Sequence, residues 1–275
     1  MNHQDETLYH YCSIEGLFHI INTKSIWLTN SSHMNDSLEN SWIENYFEII
    51  KDYFKNDEYK KFLINVFDIY KLNNHPPFIF CLSKEKDQLS QWRAYSQDGH
   101  GVSIGFNTKF LSIENSIPSP NIYAYHTLGY YKVEYSKTVQ QKTIMDICES
   151  IKNDFDTKKY DKISISLEFI SNLVHLSIVF KNPSFMEERE WRIIHTPLDK
   201  YEKPDLRLSE LKFRIKQKRI TPYYNLNFGS NFNSQLISEI VLGPKCEMTA
   251  KEIKQFLRHN NLDKTKITTS KSSYK

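Results

Sequence analysis

Glu188 and Glu190 stand in the stretch "NPSFMEEREWRII", Asn182 to Ile194, directly before a run with strand character. In an extended segment, residues two apart share a face. The two carboxylates would then point one way, and Arg189 and Trp191 the other. A carboxylate pair at a strand entrance can polarise a sugar hydroxyl and stabilise a cationic transition state. Buried carboxylates cost stability unless they are paired, solvated or used. The competing account is therefore a solvated turn with ion pairs to Arg189, Arg192 or Lys181.

Four further clusters carry chemistry. In "YHYCS", His10 faces opposite to Tyr9 and Tyr11 if the segment is a strand. A histidine there can donate to a ribose hydroxyl or a carboxamide, and a neighbouring tyrosine can stack on an aromatic ring. The plainer account is a hydrogen-bonded core histidine. The stretch "CLSKEKDQLSQWRAYSQDGHGVSIGF" holds Ser83, Asp87, Ser90, Trp92, Arg93 and Tyr95 between two expected strands. Trp92 and Tyr95 are three apart and share a helix face. That face could hold a planar ligand, with Arg93 meeting a phosphate, or it could simply be core. In "HMNDSLE", Asn35 and Asp36 fix a turn or cap a helix. "KFRIKQKR", Lys212 to Arg219, could track a nucleic-acid backbone, although an amphipathic strand explains it as well.

The elements that must position these groups follow from periodicity. Ser13 is placed to cap the helix "IEGLFHIINTKS", whose apolar residues Ile14, Leu17, Phe18 and Ile21 recur at helical spacing. Strands are expected at "LYHYCS", "IWLTN", "FIFCLS", "VSIGF", "REWRIIH" and "LISEIVLGP", and within 121–135. Two more are expected in "ELKFRIKQKRITPYYNL", joined near Thr221–Pro222, with "KITTS" as a last edge strand. A long amphipathic helix, capped by Asp36 or Ser37, should carry Trp42, Tyr46, Ile49, Ile50 and Tyr53 on one side. "HPP" at His75 to Pro77 should end the helices that precede it. Thr249 should cap a helix late in the chain. The mixture lacks regular βαβ alternation. It predicts one α+β domain over 1–275, with helical insertions at about 37–72 and 139–181.

Composition narrows the classes. The 275 residues are 39% hydrophobic and 14% aromatic, with only 7 Gly and 9 Pro, which argues for a real core and against a low-complexity chain. A formal charge of +3 is too small to require nucleic acid. Cys12, Cys81, Cys148 and Cys246 lack CxxC spacing, so neither a zinc site nor a disulfide framework is expected. No HExxH, GxSxG, Walker loop or EF-hand occurs, and no metal site is predicted. The first residues do not read as a signal peptide, and no apolar run is long enough for a bilayer. The expectation is a cytoplasmic protein with no membrane partner.

With these motifs quoted, the sequence resembles a bacterial family of unknown function. That family's pattern runs from "YHYCS" through "NDSLE", then Ser83, Asp87, Trp92 and Tyr95, then "GHGVSIGF" and "EREWR", to "ISEIVLGP". The resemblance spans most of the chain and supplies no activity. The opening "LYHYCSIEGLFHIINTKSIWLTN" is also similar to the start of several NAD-dependent ADP-ribosyltransferases, including those that modify DNA. That second resemblance implies a mixed or antiparallel split sheet and NAD as substrate. It implies a macromolecular acceptor, nucleic acid or protein, and the role of a toxin or phage-defence effector. Glu190 would bond the 2′-hydroxyl of the nicotinamide ribose and stabilise the departing nicotinamide's oxocarbenium-like partner. Glu188 would orient or deprotonate the acceptor, and Tyr95 or Trp92 would stack on nicotinamide. His10, Tyr11, Ser13, Ser83 and Arg93 would complete the cofactor side. The chain lacks the Ser-Thr-Ser triplet after "FCL", and its middle block is longer than usual. Two other readings stay open. One is a non-catalytic sensor or binding module of a defence system, presenting Trp92, Tyr95 and Lys212 to Arg219. The other is a nuclease using Asp36, Glu188 and Glu190 with a divalent cation.

Overall fold

The computed structural model describes residues 6–34, 41–73, 76–118, 127–158, 160–197, 205–216 and 218–274. In chain order the described elements begin β1 (Thr7–Cys12), α1 (Ile14–Thr23), β2 (Ser25–Asn30), α2 (Phe47–Tyr53), α3 (Asp57–Asn73), β3 (Phe78–Ser83), α4 (Leu89–Tyr95), β4 (Val102–Asn107) and β5 (Leu128–Lys132). They continue α5 (Lys137–Asp156), α6 (Lys162–Val179), β6 (Glu190–His195), β7 (Lys212–Lys216), β8 (Arg219–Asn227), β9 (Ile237–Leu242), α7 (Ala250–His259) and β10 (Lys266–Thr269). The class is α+β, and the sheet is open and mixed. Its main path is β10-β9-β4-β1-β3-β2-β8-β7, with β6 pairing β3 and β5 pairing β6. Only the β10–β9 pair is parallel among the described strand pairs.

One irregularity in this sheet makes room for a site. Along its whole length β3 pairs with β6, from Phe78↔His195 to Ser83↔Glu190. A strand has two edges, so β1 and β2 must share the other one. They do so at opposite ends: β1 meets β3 at Tyr9↔Ser83, and β2 meets it at Thr29↔Ile79 and Asn30↔Phe78. Between those points the two strands splay apart, and α1 joins them. In this gap the His10 ring donates from Nδ1 to the Cys81 carbonyl at 2.9 Å.

Two cores flank the sheet. On one face Leu8, Leu17, Ile21, Leu28, Phe80 and Ile104 pack with α7 residues Ile253 and Leu257. The other face is covered by α2, α3, α5 and α6, whose Ile50, Val66, Ile151 and Phe169 meet Ile79 and Ile194 of the strands. Helix α6 is long and apolar enough to cross a membrane by length and composition alone, and it packs in this second core.

Helix ends follow the expected chemistry. Ser13 Oγ accepts from the Gly16 N–H at the start of α1. Thr249 and Glu252 form a reciprocal capping box on α7. The insertion at 139–181 is two helices, α5 and α6, capped by Ser136 and Asp161. The long helix expected through Trp42 to Tyr53 is instead a 3-10 turn, Trp42–Tyr46, followed by the short α2, which stops at the buried Phe54. The break changes the buried face to Ile43, Tyr46, Phe47, Ile50 and Phe54. Asn35, Asp36, Ser37 and His75 lie outside the described residues, as does much of 121–135. The β7–β8 junction lies between Lys216 and Arg219, where Lys218 has φ 66°, and not at Thr221–Pro222. Pro222 sits within β8, opposite Phe213.

Candidate functional site

A cavity of about 630 Å³ lies along β3 where β1 and β2 diverge. Its lining includes His10, Tyr11, Ser13, Ser83, Tyr95, Glu188 and Glu190. These residues come from β1, the cap of α1, β3, α4 and the approach to β6. His10 packs on Phe80, with ring centroids 4.0 Å apart, on the α7 side of the sheet. Ser83 and Glu190 are cross-strand partners on the opposite face, and the gap lets one cavity touch both sides.

The carboxylates are not built as an extended pair. Residues Pro183–Glu188 form a 3-10 turn, and Arg189 is left-handed at φ 43°. Strict alternation therefore ends before Glu190. Lys181 brings the two acids together: its Nζ donates to Glu188 Oε2 at 2.7 Å and Glu190 Oε2 at 2.9 Å. Arg192 grips Glu190 through Nε to Oε1 at 2.9 Å and Nη2 to Oε2 at 3.0 Å. Its Nη1 donates to the Ile178 carbonyl at the end of α6. Two cations thus meet two carboxylates in a nearly dry cluster. Burial alone would raise the Glu190 carboxyl pKa, but Arg192 and then Lys181 outweigh it and hold the group down at about 2. Arg189 turns outward and pairs with Glu85. Of the expected ion-pair partners, Lys181 and Arg192 are the ones Glu190 uses.

Glu188 is the more accessible acid, with its side chain 12% exposed against 5% for Glu190. Its Oε1 accepts from the Tyr95 hydroxyl at 2.8 Å. Burial and the Glu188 charge push the Tyr95 phenol pKa far up, so it stays protonated as a donor. Ser83 has a bracing role: its hydroxyl donates to the Glu188 carbonyl at 2.7 Å and accepts from the Glu85 N–H at 3.1 Å. The Tyr11 hydroxyl donates to the Glu85 carbonyl and accepts from the Gln88 N–H. Both residues fix the loop between β3 and α4. His10 must carry its proton on Nδ1, because a carbonyl can only accept.

Two expected ligand residues lie elsewhere. Trp92 is fully buried against Tyr11 and Val241, with Nε1 donating to Asp87 at 2.7 Å. It is a core residue and does not line the cavity. Arg93 lies over the Tyr274 ring, 5.9 Å from its centroid, also away from the cavity. Asp87 also accepts from Ser270 Oγ at 2.5 Å and the Lys271 N–H at 2.7 Å, so residues far along the chain clasp the start of α4.

The other end of the cavity was not anticipated. His19, Trp27, Thr29 and Arg214 line it there. Arg214 stacks over Trp27 at 4.3 Å and Tyr223 at 5.5 Å. The alternating basic residues at Lys212 to Arg219 were a signal for this site, but nothing marked which of them turns inward. No group of three or more His, Cys, Asp or Glu suited to a metal occurs among the described residues. Where a cation shared by Glu188 and Glu190 would sit, the Lys181 ammonium already does.

The model of a family described as "Protein of unknown function (DUF2971)" matches residues 91–193, from within α4 into β6. That span includes Trp92, Tyr95, Lys181, Glu188 and Glu190. No curated protein and no solved structure matches the chain.

Proposed function

We propose that this protein binds a nucleotide in the cavity along β3, with NAD as the first ligand to test, and transfers ADP-ribose to a macromolecular acceptor. One observation carries the reading: His10, Ser83, Tyr95, Glu188 and Glu190, far apart in sequence, line one cavity. Its volume of about 630 Å³ lies within the range usual for small-molecule and cofactor sites. Aromatic walls from Tyr9, Trp27, Phe80 and Phe185 suit planar rings.

Within this reading Glu188 is the carboxylate that meets the ligand. Each of its oxygens accepts one protein hydrogen bond, leaving lone pairs for a ribose hydroxyl. Negative charge beside a breaking glycosidic bond favours a cationic transition state. Glu190 holds Lys181 in place and so positions Glu188. Tyr95 orients the same carboxylate, and His10 lies across the gap to contact the ligand's other face. The direct test is NAD consumption by the purified protein alone and with DNA, RNA or protein acceptors. Wild type should consume NAD and Glu188→Gln should not, with both binding it in calorimetry.

A second reading is a non-catalytic sensor. The balance of Lys181 and Arg192 against Glu188 and Glu190 favours it, because the cluster keeps little net negative charge for a reaction. NAD binding without turnover under every acceptor condition would select this reading over the enzyme.

A further inference from the structure

Arg214 is a half-buried cation with few polar partners among the described residues. It stacks on Trp27 and Tyr223, and one Nη donates to Thr29 Oγ1 at 2.8 Å. Its Nε is buried and meets no acceptor. No carboxylate pairs with it among the described residues. Burial lowers its pKa, the direction expected for a guanidinium without a counter-charge. His19, tilted on the same Trp27 ring at 3.9 Å, has a buried Nε2 that is likewise unpartnered. Both residues line the cavity. Buried polar groups are nearly always satisfied, and a stacked guanidinium offers planar, bidentate recognition of an oxyanion.

Position adds to the chemistry. The Arg214 end lies beside Thr29, which pairs with Ile79 of β3. The acidic end lies beside Ser83, which pairs with Glu190. Ser83 lies four residue steps along the strand from Ile79, about 13 Å at the usual rise. A ligand spanning the cavity would present one end to carboxylates and the other to a cation with no carboxylate partner among the described residues.

We infer that Arg214, with Thr29 and His19, forms an anion subsite that takes a phosphoryl group of the ligand. The inference rests on the nucleotide reading above for the identity of that ligand. It goes further in assigning the residue that separates phosphorylated ligands from unphosphorylated ones.

Calorimetry with NAD, nicotinamide riboside and inorganic pyrophosphate tests it, using wild type, Arg214→Gln and Arg214→Lys. Wild type should bind NAD at least about tenfold more tightly than the riboside, the scale of one charge-assisted hydrogen bond. Arg214→Gln should lose that preference and keep its riboside affinity. Arg214→Lys, which retains charge but not the planar fork, should fall between them. Equal binding of NAD and riboside by wild type overturns the subsite and leaves the nucleotide reading standing. So does unchanged NAD binding by a folded Arg214→Gln protein, or by Arg214→Lys where the Gln variant does not fold. If wild type binds neither NAD nor the riboside, the nucleotide reading fails and pyrophosphate decides. A thermal shift with pyrophosphate that vanishes in Arg214→Gln, or shrinks in Arg214→Lys if only that variant folds, keeps an anion site. No shift in wild type overturns it.

Discussion

Arg192 holds Glu190 by two bonds of 2.9 and 3.0 Å, one to each carboxylate oxygen, from a position two residues further along the same strand. Removing either partner leaves the other's charge only partly compensated in a dry environment. Arg192→Met should destabilise the fold by about 3–5 kcal/mol. Glu190→Gln, which keeps the shape, should still cost roughly 1.5–3 kcal/mol through weakened bonds to charged donors. The double variant Glu190→Leu with Arg192→Met should cost less than the sum of its single variants. Urea unfolding of the full cycle measures this, and strict additivity would show that the two side chains do not act as a unit.

Acid should weaken the fold in two steps. Burial pushes the His195 pKa down from 6.5 to about 4, although its ring donates to the Thr127 carbonyl. The imidazole is then neutral in the fold while the unfolded chain takes up a proton. Its contribution is complete above about pH 6.5 and drains away as pH falls through about 4. Glu190, held at about 2 against an ordinary value of 4.5, contributes above about pH 4.5 and is lost as pH falls through about 2. Denaturant midpoints between pH 2 and 8 should show both losses. His195→Gln should flatten only the upper one; an unchanged upper step would assign it to other groups.

Tyr95→Phe should separate fold from function. The residue is 38% exposed, so loss of the hydroxyl should change stability by less than about 1 kcal/mol. The same change releases Glu188 Oε1. Turnover of NAD at saturation should fall about tenfold, the scale of one lost hydrogen bond to a charged group. An unchanged kcat would mean that Glu188 needs no orienting partner.

Tryptophan emission should report the ligand from one position. Trp27 lines the cavity beneath Arg214, and Trp92 is sealed in the core. Ligand-induced quenching should disappear in Trp27→Phe and persist in Trp92→Phe. The latter should lose roughly 1–3 kcal/mol with its bond to Asp87 and its buried volume. Quenching that survives Trp27→Phe would place the ligand elsewhere.

Much of the framework was legible in local pattern. The opening β1–α1–β2 unit, its Ser13 cap, strand β9 and the Thr249-capped α7 all follow from periodicity and capping. The chain order of His10, Ser83 and Glu190 also matches three adjoining strands. What escaped depends on geometry that periodicity does not encode. Trp92 and Tyr95 sit about 60° apart around a helix, enough to put one in the core and the other at the cavity. Arg189 in a left-handed conformation ends the alternation that predicted a shared face for Glu188 and Glu190. Lys181 instead unites them from the segment after α6, and Arg214 arrives through the β7–β8 hairpin. Both are long-range placements that only the folded sheet creates.

The clasp on Asp87 has a practical side. Ser270 and Lys271 supply two of its three partners, and the third, Trp92, sits one turn before Tyr95 on α4. A protein trimmed before Ser270 would lose a latch on the cavity rim while keeping every residue that lines it. Inactivity in such a shortened protein would then reflect a slackened helix, not missing chemistry, so assays belong on protein that retains those two residues.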